Sequence, residues 1–341
     1  MKKRLFTCVA LLLAAVMLLS ACGSEAEQQQ GQQEQNDGQV LKITLADPGT
    51  TGSFANDQVL YYADKVAELS GGSMEIEVFS DSLLGTETAM ATNIQSGGLD
   101  MGTFYSTFSS MVTKAGIFDL PYLITERSEI NKLKDSGILD EIYEEAETIG
   151  IKVVCLGENG FRHITNNTRP IVEPADLKGI VLRTPSNTLR VTMFERLGAS
   201  PVAMAWSEVY QALESGVCDG QENPFSQIGG AQLYNVQKYL SLSSHIYTPQ
   251  FICINLDLYN SLTEEQQQVL LDAGDLTTEY AWEAGEEYDE EQLKICEENG
   301  MEVNEVDIDA FREALLPLWD EFADTVGGSD FVSRAKEALG Y

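Results

Sequence analysis

The chain is short of positive charge and of metal-binding side chains. Across 341 residues it has 21 lysines and arginines against 54 acidic residues, and only two histidines. With a formal net charge of −33, its bulk surface cannot hold nucleic acid or anionic lipid, whose binding depends on lysine and arginine. His163 and His245 stand alone, no CxxC pair exists, and the cysteine spacing does not suit a zinc site, so no metal is expected. No GxSxG, HExxH, GxxxxGK[ST] or GxGxxG motif is present. Acidic pairs abound only because the composition is acidic, so no glycosidase dyad can be read from them. Cys155 and His163 flank an expected turn; a thiol–imidazole pair there is conceivable but disfavoured. Asp307 and Asp309 lack the glycine and the terminal glutamate of a calcium loop and read as a surface helix cap. No catalytic residue and no cofactor are assigned.

Long apolar runs are also missing after residue 20. Before it, Lys2, Lys3 and Arg4 precede an apolar stretch over residues 5–19, too short to span a bilayer and laid out as a secretory signal. The stretch ends in Leu19-Ser20-Ala21-Cys22-Gly23, which resembles the lipobox of bacterial lipoproteins. That resemblance implies a signal peptide over residues 1–21, with Cys22 carrying lipid on the outer face of the cytoplasmic membrane. Residues 22–39 are rich in glutamine and glutamate and hold no large hydrophobe, so they read as a disordered tether. Its reach is roughly 20–25 Å. Cys8 leaves with the leader. For Cys155, Cys218, Cys253 and Cys296, buried free thiols are the preferred reading, although one disulfide stays open.

The remaining 300 or so residues exceed what one core usually covers, so two lobes are expected. Residues 40–46 and 74–79 alternate apolar and polar side chains as strands do, and residues 99–105 are strand-like. Between them, residues 55–69 and 86–95 carry helical spacing and stop at Gly71-Gly72 and Gly97-Gly98. This β-α-β-α-β order predicts an open α/β sheet with ligands beyond the carboxyl ends of its strands. Residues 129–150 read as one acidic helix, 151–156 as a buried strand and 157–160 as a turn. A second small β-α-β unit follows: a strand over 179–183, a helix over 188–197, and a helix over 208–214 capped by Ser207. Residues 251–256 form another strand. Thr263 and Gln266 make a capping box, after which nothing stops the helix before Asn299-Gly300, with Gly274 and Gly285 marking places to bend. Some 35 residues reach roughly 50 Å, enough to cross both lobes. Helices over 309–326 and 330–339 end the chain.

Five of the eight arginines beyond the leader fall between Arg162 and Arg196, an unexpected concentration in so acidic a chain. Arg183 ends a strand just before Thr184-Pro185, so its guanidinium fork can be aimed at a carboxylate. Arg162 could add a second contact. Arg169, Arg190 and Arg196 read as structural or solvated. Asn223 lies before Pro224, which holds its backbone extended, and its amide suits a carboxylate or hydroxyl. Trp206 can stack on a sugar or apolar face, or pack in the core.

At these residues the chain resembles the DctP-type substrate-binding proteins of TRAP transporters (tripartite ATP-independent periplasmic transporters). The likeness rests on SLLGTE (82–87), DLPY (119–122), GFRHITNNTRP (160–170), DLKGIVLR (176–183), LGASP (197–201), SEVYQAL (207–213) and DGQENP (219–224), in the family's order, and it extends from residue 40 to the C-terminus. It implies an α/β, two-lobed, periplasmic-binding-protein-like fold that closes on an organic anion and passes it to a membrane permease. The expected lobes are residues 40–160 with 249–288, and 161–248 with 289–341. The family's carboxylate-gripping arginine falls on Arg183, a second arginine on Arg162, its asparagine on Asn223 and an aromatic position on Trp206. Looser first-lobe contacts fall near Asp47, Glu87 and Tyr105. Cys218 and Trp206 depart from the usual aliphatic residue and phenylalanine. The implied ligand is an organic acid, foremost a sugar acid such as a uronate. The alternatives are a C4-dicarboxylate, another keto or hydroxy acid or an aromatic acid, a receptor serving a signalling partner, and a secreted carboxylate-dependent hydrolase.

Overall fold

The computed structural model describes residues 40–341; the leader, Cys22 and the tether lie outside the described residues. Ten strands build the framework: β1 Leu41–Ala46, β2 Met74–Phe79, β3 Met101–Phe104, β4 Ile151–Asn166, β5 Val181–Thr184, β6 Ser200–Ala203, β7 Gly220–Pro224, β8 Tyr239–Leu242, β9 Tyr247–Asn255 and β10 Glu302–Glu305. Their order is β2-β1-β3-β9-β4-β7-β5-β6, with β8 and β10 branching from β4. The β1–β2 and β1–β3 pairs are parallel, as their helical crossovers require. The crossovers are the helices Phe54–Leu69 and Glu87–Gln95, whose cap side chains, Ser53 and Thr86, accept the first free N–H groups.

β4 carries the chain from one set of partners to another. Its residues 151–161 pair antiparallel with β9, while residues 162–166 pair with β7 and, over the last three, β8. Register shifts fall at Val153/Cys155 and Glu158/Gly160. Gly160 takes φ of 112°, which only glycine adopts readily, so the four residues expected to turn are instead a bulged stretch within one 16-residue strand. Bulges bend a strand without ending it, and the local Gly-rich pattern is the same for both outcomes. Two further expectations change. Gly137, at φ 78°, divides the acidic helix into Glu129–Asp135 and Ile138–Thr148. Ser207 does not cap a helix; it lies inside the 3-10 turn Trp206–Glu208 that leads into the helix Val209–Glu214.

The capping box forms as expected, Thr263 Oγ1 accepting from Gln266 N and Thr263 N donating to Gln266 Oε1, and opens an unbroken helix Glu264–Glu298. Gly274 and Gly285 do not interrupt it. They let it approach β4: a Cβ on Gly274 would stand 1.9 Å from the Val154 carbonyl oxygen, and one on Gly285 would stand 2.9 Å from Glu158 Oε1. Asp307 caps the helix Ile308–Leu315 by accepting from Ala310 N. Cys155, Cys218, Cys253 and Cys296 are buried free thiols. No helix among the described residues is long and apolar enough to cross a membrane.

Candidate functional site

Where β4 changes partners, the ends of several strands converge on a cavity that, counted with its open mouth, holds about 350 Å³. From residues 40–160 it is lined by Pro48, Glu87, Tyr105, Ser106 and Asn159. From residues 161–248 it takes Arg162, Arg183, Pro185, Trp206, Asn223 and Gln227. Six of the seven binding residues expected from sequence therefore meet there. The seventh, Asp47, is fully buried behind the wall and accepts hydrogen bonds from Asn56 Nδ2, Gly49 N and the Tyr105 hydroxyl. It orients Tyr105 and does not border the cavity. Burial pushes its carboxyl up to about 6, against those hydrogen bonds.

Arg183 reaches the cavity from the end of β5 with 3% of its surface exposed. Its Nε and Nη2 both donate to the Met204 carbonyl oxygen, at 3.1 and 2.7 Å, and its guanidinium carbon lies 5.9 Å from the centre of the Trp206 ring. Among the described residues it makes no ion pair. Burial, with the Arg162 charge nearby, pulls it down to about 10. A buried cation without a contacting anion is costly unless a ligand supplies one.

The other buried arginines are already neutralised. Arg162 donates through Nε to Glu222 Oε2 at 2.5 Å, and through Nη2 to Glu222 Oε1 at 3.0 Å and Asn223 Oδ1 at 2.8 Å. Arg190 spans Asp119 at 2.9 Å and Glu222 at 3.2 Å. Although burial raises the Glu222 carboxyl, the two guanidiniums and His245 outweigh it and hold it far below the usual carboxylate range. Arg196 pairs with Glu321 at the surface, and Arg169 donates to the backbone carbonyls of Asp176 and Lys178. These are the structural roles expected for the three arginines set aside.

Hydrogen-bonding groups of both kinds surround the cation. Asn223 Nδ2 donates to Gln221 Oε1, and Trp206 Nε1 donates to Thr50 Oγ1. Glu87 accepts from the Thr107 hydroxyl and from Tyr105 N, and burial raises its carboxyl despite them. Ser106, Asn159 and Gln227 escaped the sequence reading; an isolated polar residue in a turn, a strand or a short helix gives no signal of its own. Ser106 Oγ and Gln227 Oε1 are buried without a partner among the described residues, which is uncommon for such atoms. Cys155 and His163 do not meet. Cys155 Sγ lies 3.9 Å from the Thr278 hydroxyl, and His163 accepts from Ser244 N. No group of histidine, cysteine or acidic residues among the described ones could hold a metal ion.

The family model described as bacterial extracellular solute-binding protein, family 7 (DctP), matches residues 48–325. The chain belongs to the DctP family. It is 32% identical to the 2,3-diketo-L-gulonate-binding periplasmic protein YiaO of Escherichia coli, over 81% of this chain and 85% of that protein. It is also 28% identical to the C4-dicarboxylate-binding protein DctB of Bacillus subtilis, over 95% and 96% of the two chains. Among solved structures it is similar to the sugar acid binding protein DctPAm from Advenella mimigardefordensis in complex with galactonate, with TM-score 0.84, 27% identity, and 88% of this chain and 98% of that chain covered. This DctP-family chain is accordingly an extracytoplasmic solute-binding protein for organic acids and not an enzyme, and its α/β fold with one long helix is that of the TRAP solute-binding proteins.

Proposed function

We propose that this DctP-family protein is the receptor of a TRAP transporter for a polyhydroxy monocarboxylate, a hexonate or hexuronate in the first instance. One observation carries the reading: Arg183 is a buried guanidinium with no carboxylate paired to it among the described residues, bordering a cavity otherwise furnished with hydroxyl, amide and carboxylate groups. The ligand carboxylate takes Arg183, with Arg162 beside it. Ser106, Asn159, Asn223 and Gln227 suit a chain of hydroxyls, because they both donate and accept, and the Glu87 carboxylate adds an acceptor. Trp206 covers one face. The C4-dicarboxylate alternative fits less well, since its second carboxylate would need a second unpaired cation, and Arg162 is already engaged by Glu222.

Residues 40–160 with 249–288 act as one lobe and residues 161–248 with 289–341 as the other. Ligand contacts made to both favour the closed state, the long helix and β4 accommodating the movement. Cys22 carries the lipid that keeps the receptor at the outer face of the membrane, and the closed, loaded protein engages the membrane subunits of the permease.

Isothermal titration of the mature protein with D-galacturonate, D-galactonate, succinate and D-galactose tests the ligand class. Binding of one or both sugar acids, with no heat from the neutral sugar, is expected. Equal affinity for galactose, or tight binding of succinate alone, overturns the reading.

A further inference from the structure

A second cavity lies outside the cleft, on the side of β4 covered by the helices Ile138–Thr148 and Glu264–Glu298. Its volume is about 320 Å³. Its floor and walls include Leu139, Leu156 and Leu271, and two aromatic side chains, Tyr143 and Trp282, stand at its border. Trp282 Nε1 is buried with no partner among the described residues, and the Tyr143 hydroxyl belongs to the same border. Burial raises the Tyr143 hydroxyl well above its ordinary value, so it stays a neutral donor. The Gly274 contact with Val154 fixes the long helix against β4 at the same cavity, so helix and strand cannot simply move together to fill it.

We infer that this cavity is a second small-molecule site, for a planar aromatic compound carrying an oxygen acceptor, with its ring on the leucine floor and its oxygen taking the Trp282 indole N–H and the Tyr143 hydroxyl. A cavity of this size, walled partly by leucines and aromatic rings and bordered by polar groups, is a usual form of such a site. The Trp282 indole N–H, buried and without an acceptor among the described residues, selects for an acceptor on the ligand. Nothing in the cavity matches the unpaired arginine of the cleft, since its lysines, Lys134 and Lys152, stand among Asp140 and Asp275, and Lys152 is already paired with Glu147 at 2.6 Å. A neutral acceptor such as a ketone is therefore sufficient.

The test uses 6-propionyl-2-(dimethylamino)naphthalene, a neutral aryl ketone whose emission moves to the blue in apolar surroundings, with the intact mature protein. One saturable site per chain is expected, unchanged in Arg183→Ala and in the presence of saturating cleft ligand. Trp282→Phe and Tyr143→Phe each keep the ring and remove only the donor, so each should weaken binding about three- to tenfold, as loss of one hydrogen bond predicts. Their folding is verified by the thermal transition. Absence of saturable binding, competition by the cleft ligand, or affinity within twofold of the parent in the folded double variant overturns the proposal.

Discussion

Arg162 and Glu222 lie on the adjacent antiparallel strands β4 and β7 and form a buried bidentate pair, Nε to Oε2 at 2.5 Å and Nη2 to Oε1 at 3.0 Å. Because Arg190 also contacts Glu222 and is itself held by Asp119, the two arginines and two carboxylates balance. The nearby Arg183 remains outside this arrangement. The pairing thus separates Arg162 and Arg190, a rigid support, from Arg183, which makes no ion pair among the described residues.

Removing the shared carboxylate should be severe. Glu222→Gln leaves Arg162 and Arg190 buried without full compensation, and breaking such a pair costs about 3–5 kcal/mol. Urea unfolding at pH 7 measures it. The sign with pH follows from the depressed carboxyl: its stabilisation is present above the ordinary glutamate value of about 4.3 and is lost as the pH falls from there. The variant should therefore lose less stability than the parent between pH 4.5 and pH 2.

Arg183→Ala should abolish binding while sparing the fold. A charge-assisted fork contributes about 1.5–3 kcal/mol per hydrogen bond, so affinity for the sugar acid should fall at least a hundredfold. Arg183→Lys should recover only part, because an ammonium cannot make the paired contact. The ligand-free protein should unfold within about 1 kcal/mol of the parent, since the lost bonds to Met204 are offset by removal of an unpaired buried charge. Titration calorimetry and thermal unfolding of the same samples read the two effects separately. Parental affinity in Arg183→Ala would reject the carboxylate contact.

Acid should strengthen the fold in one window. Burial pushes Asp47 and Asp289 up to about 6; Asp289 faces Arg127, Glu158 and Glu286, and the single guanidinium does not overcome desolvation. A raised carboxyl favours the folded state fully below its unfolded value, near 3.8, and that contribution disappears as the pH rises through 6. Unfolding free energy should therefore contain a component that declines from pH 4 to pH 6.5, and Asp289→Asn should flatten it. Glu141, held down to about 2 by Arg334 and Lys114, acts in the opposite direction, below pH 4.5.

Gly274→Ala should destabilise the protein although alanine is the better helix former. The propensity gain is about 1 kcal/mol, whereas the new methyl group would lie 1.9 Å from the Val154 carbonyl oxygen and force helix and strand apart. Such overpacking typically costs about 1–3 kcal/mol, so a net loss is expected in thermal unfolding. A variant as stable as the parent would mean that the helix is not pinned there.

The sequence by itself determined the local elements and the family. Alternation gave β1 and β2, glycine stops bounded the helices Phe54–Leu69 and Glu87–Gln95, and the Thr263–Gln266 box started the long helix, because each depends on neighbours within a few residues. Arg162, Arg183, Asn223 and Trp206 were legible because they sit in ordered motifs. Tertiary structure alone decided what those side chains meet. Whether residues 157–160 turn or continue as bulged strand depends on β7, β8 and β9 arriving from far along the chain. The same holds for Arg183 being free while Arg162 and Arg190 are paired, for Asp47 standing behind Tyr105, and for Ser106 and Gln227 bordering the cavity. Ion pairing and burial are set by distance in space between residues remote in sequence, and no local pattern encodes them.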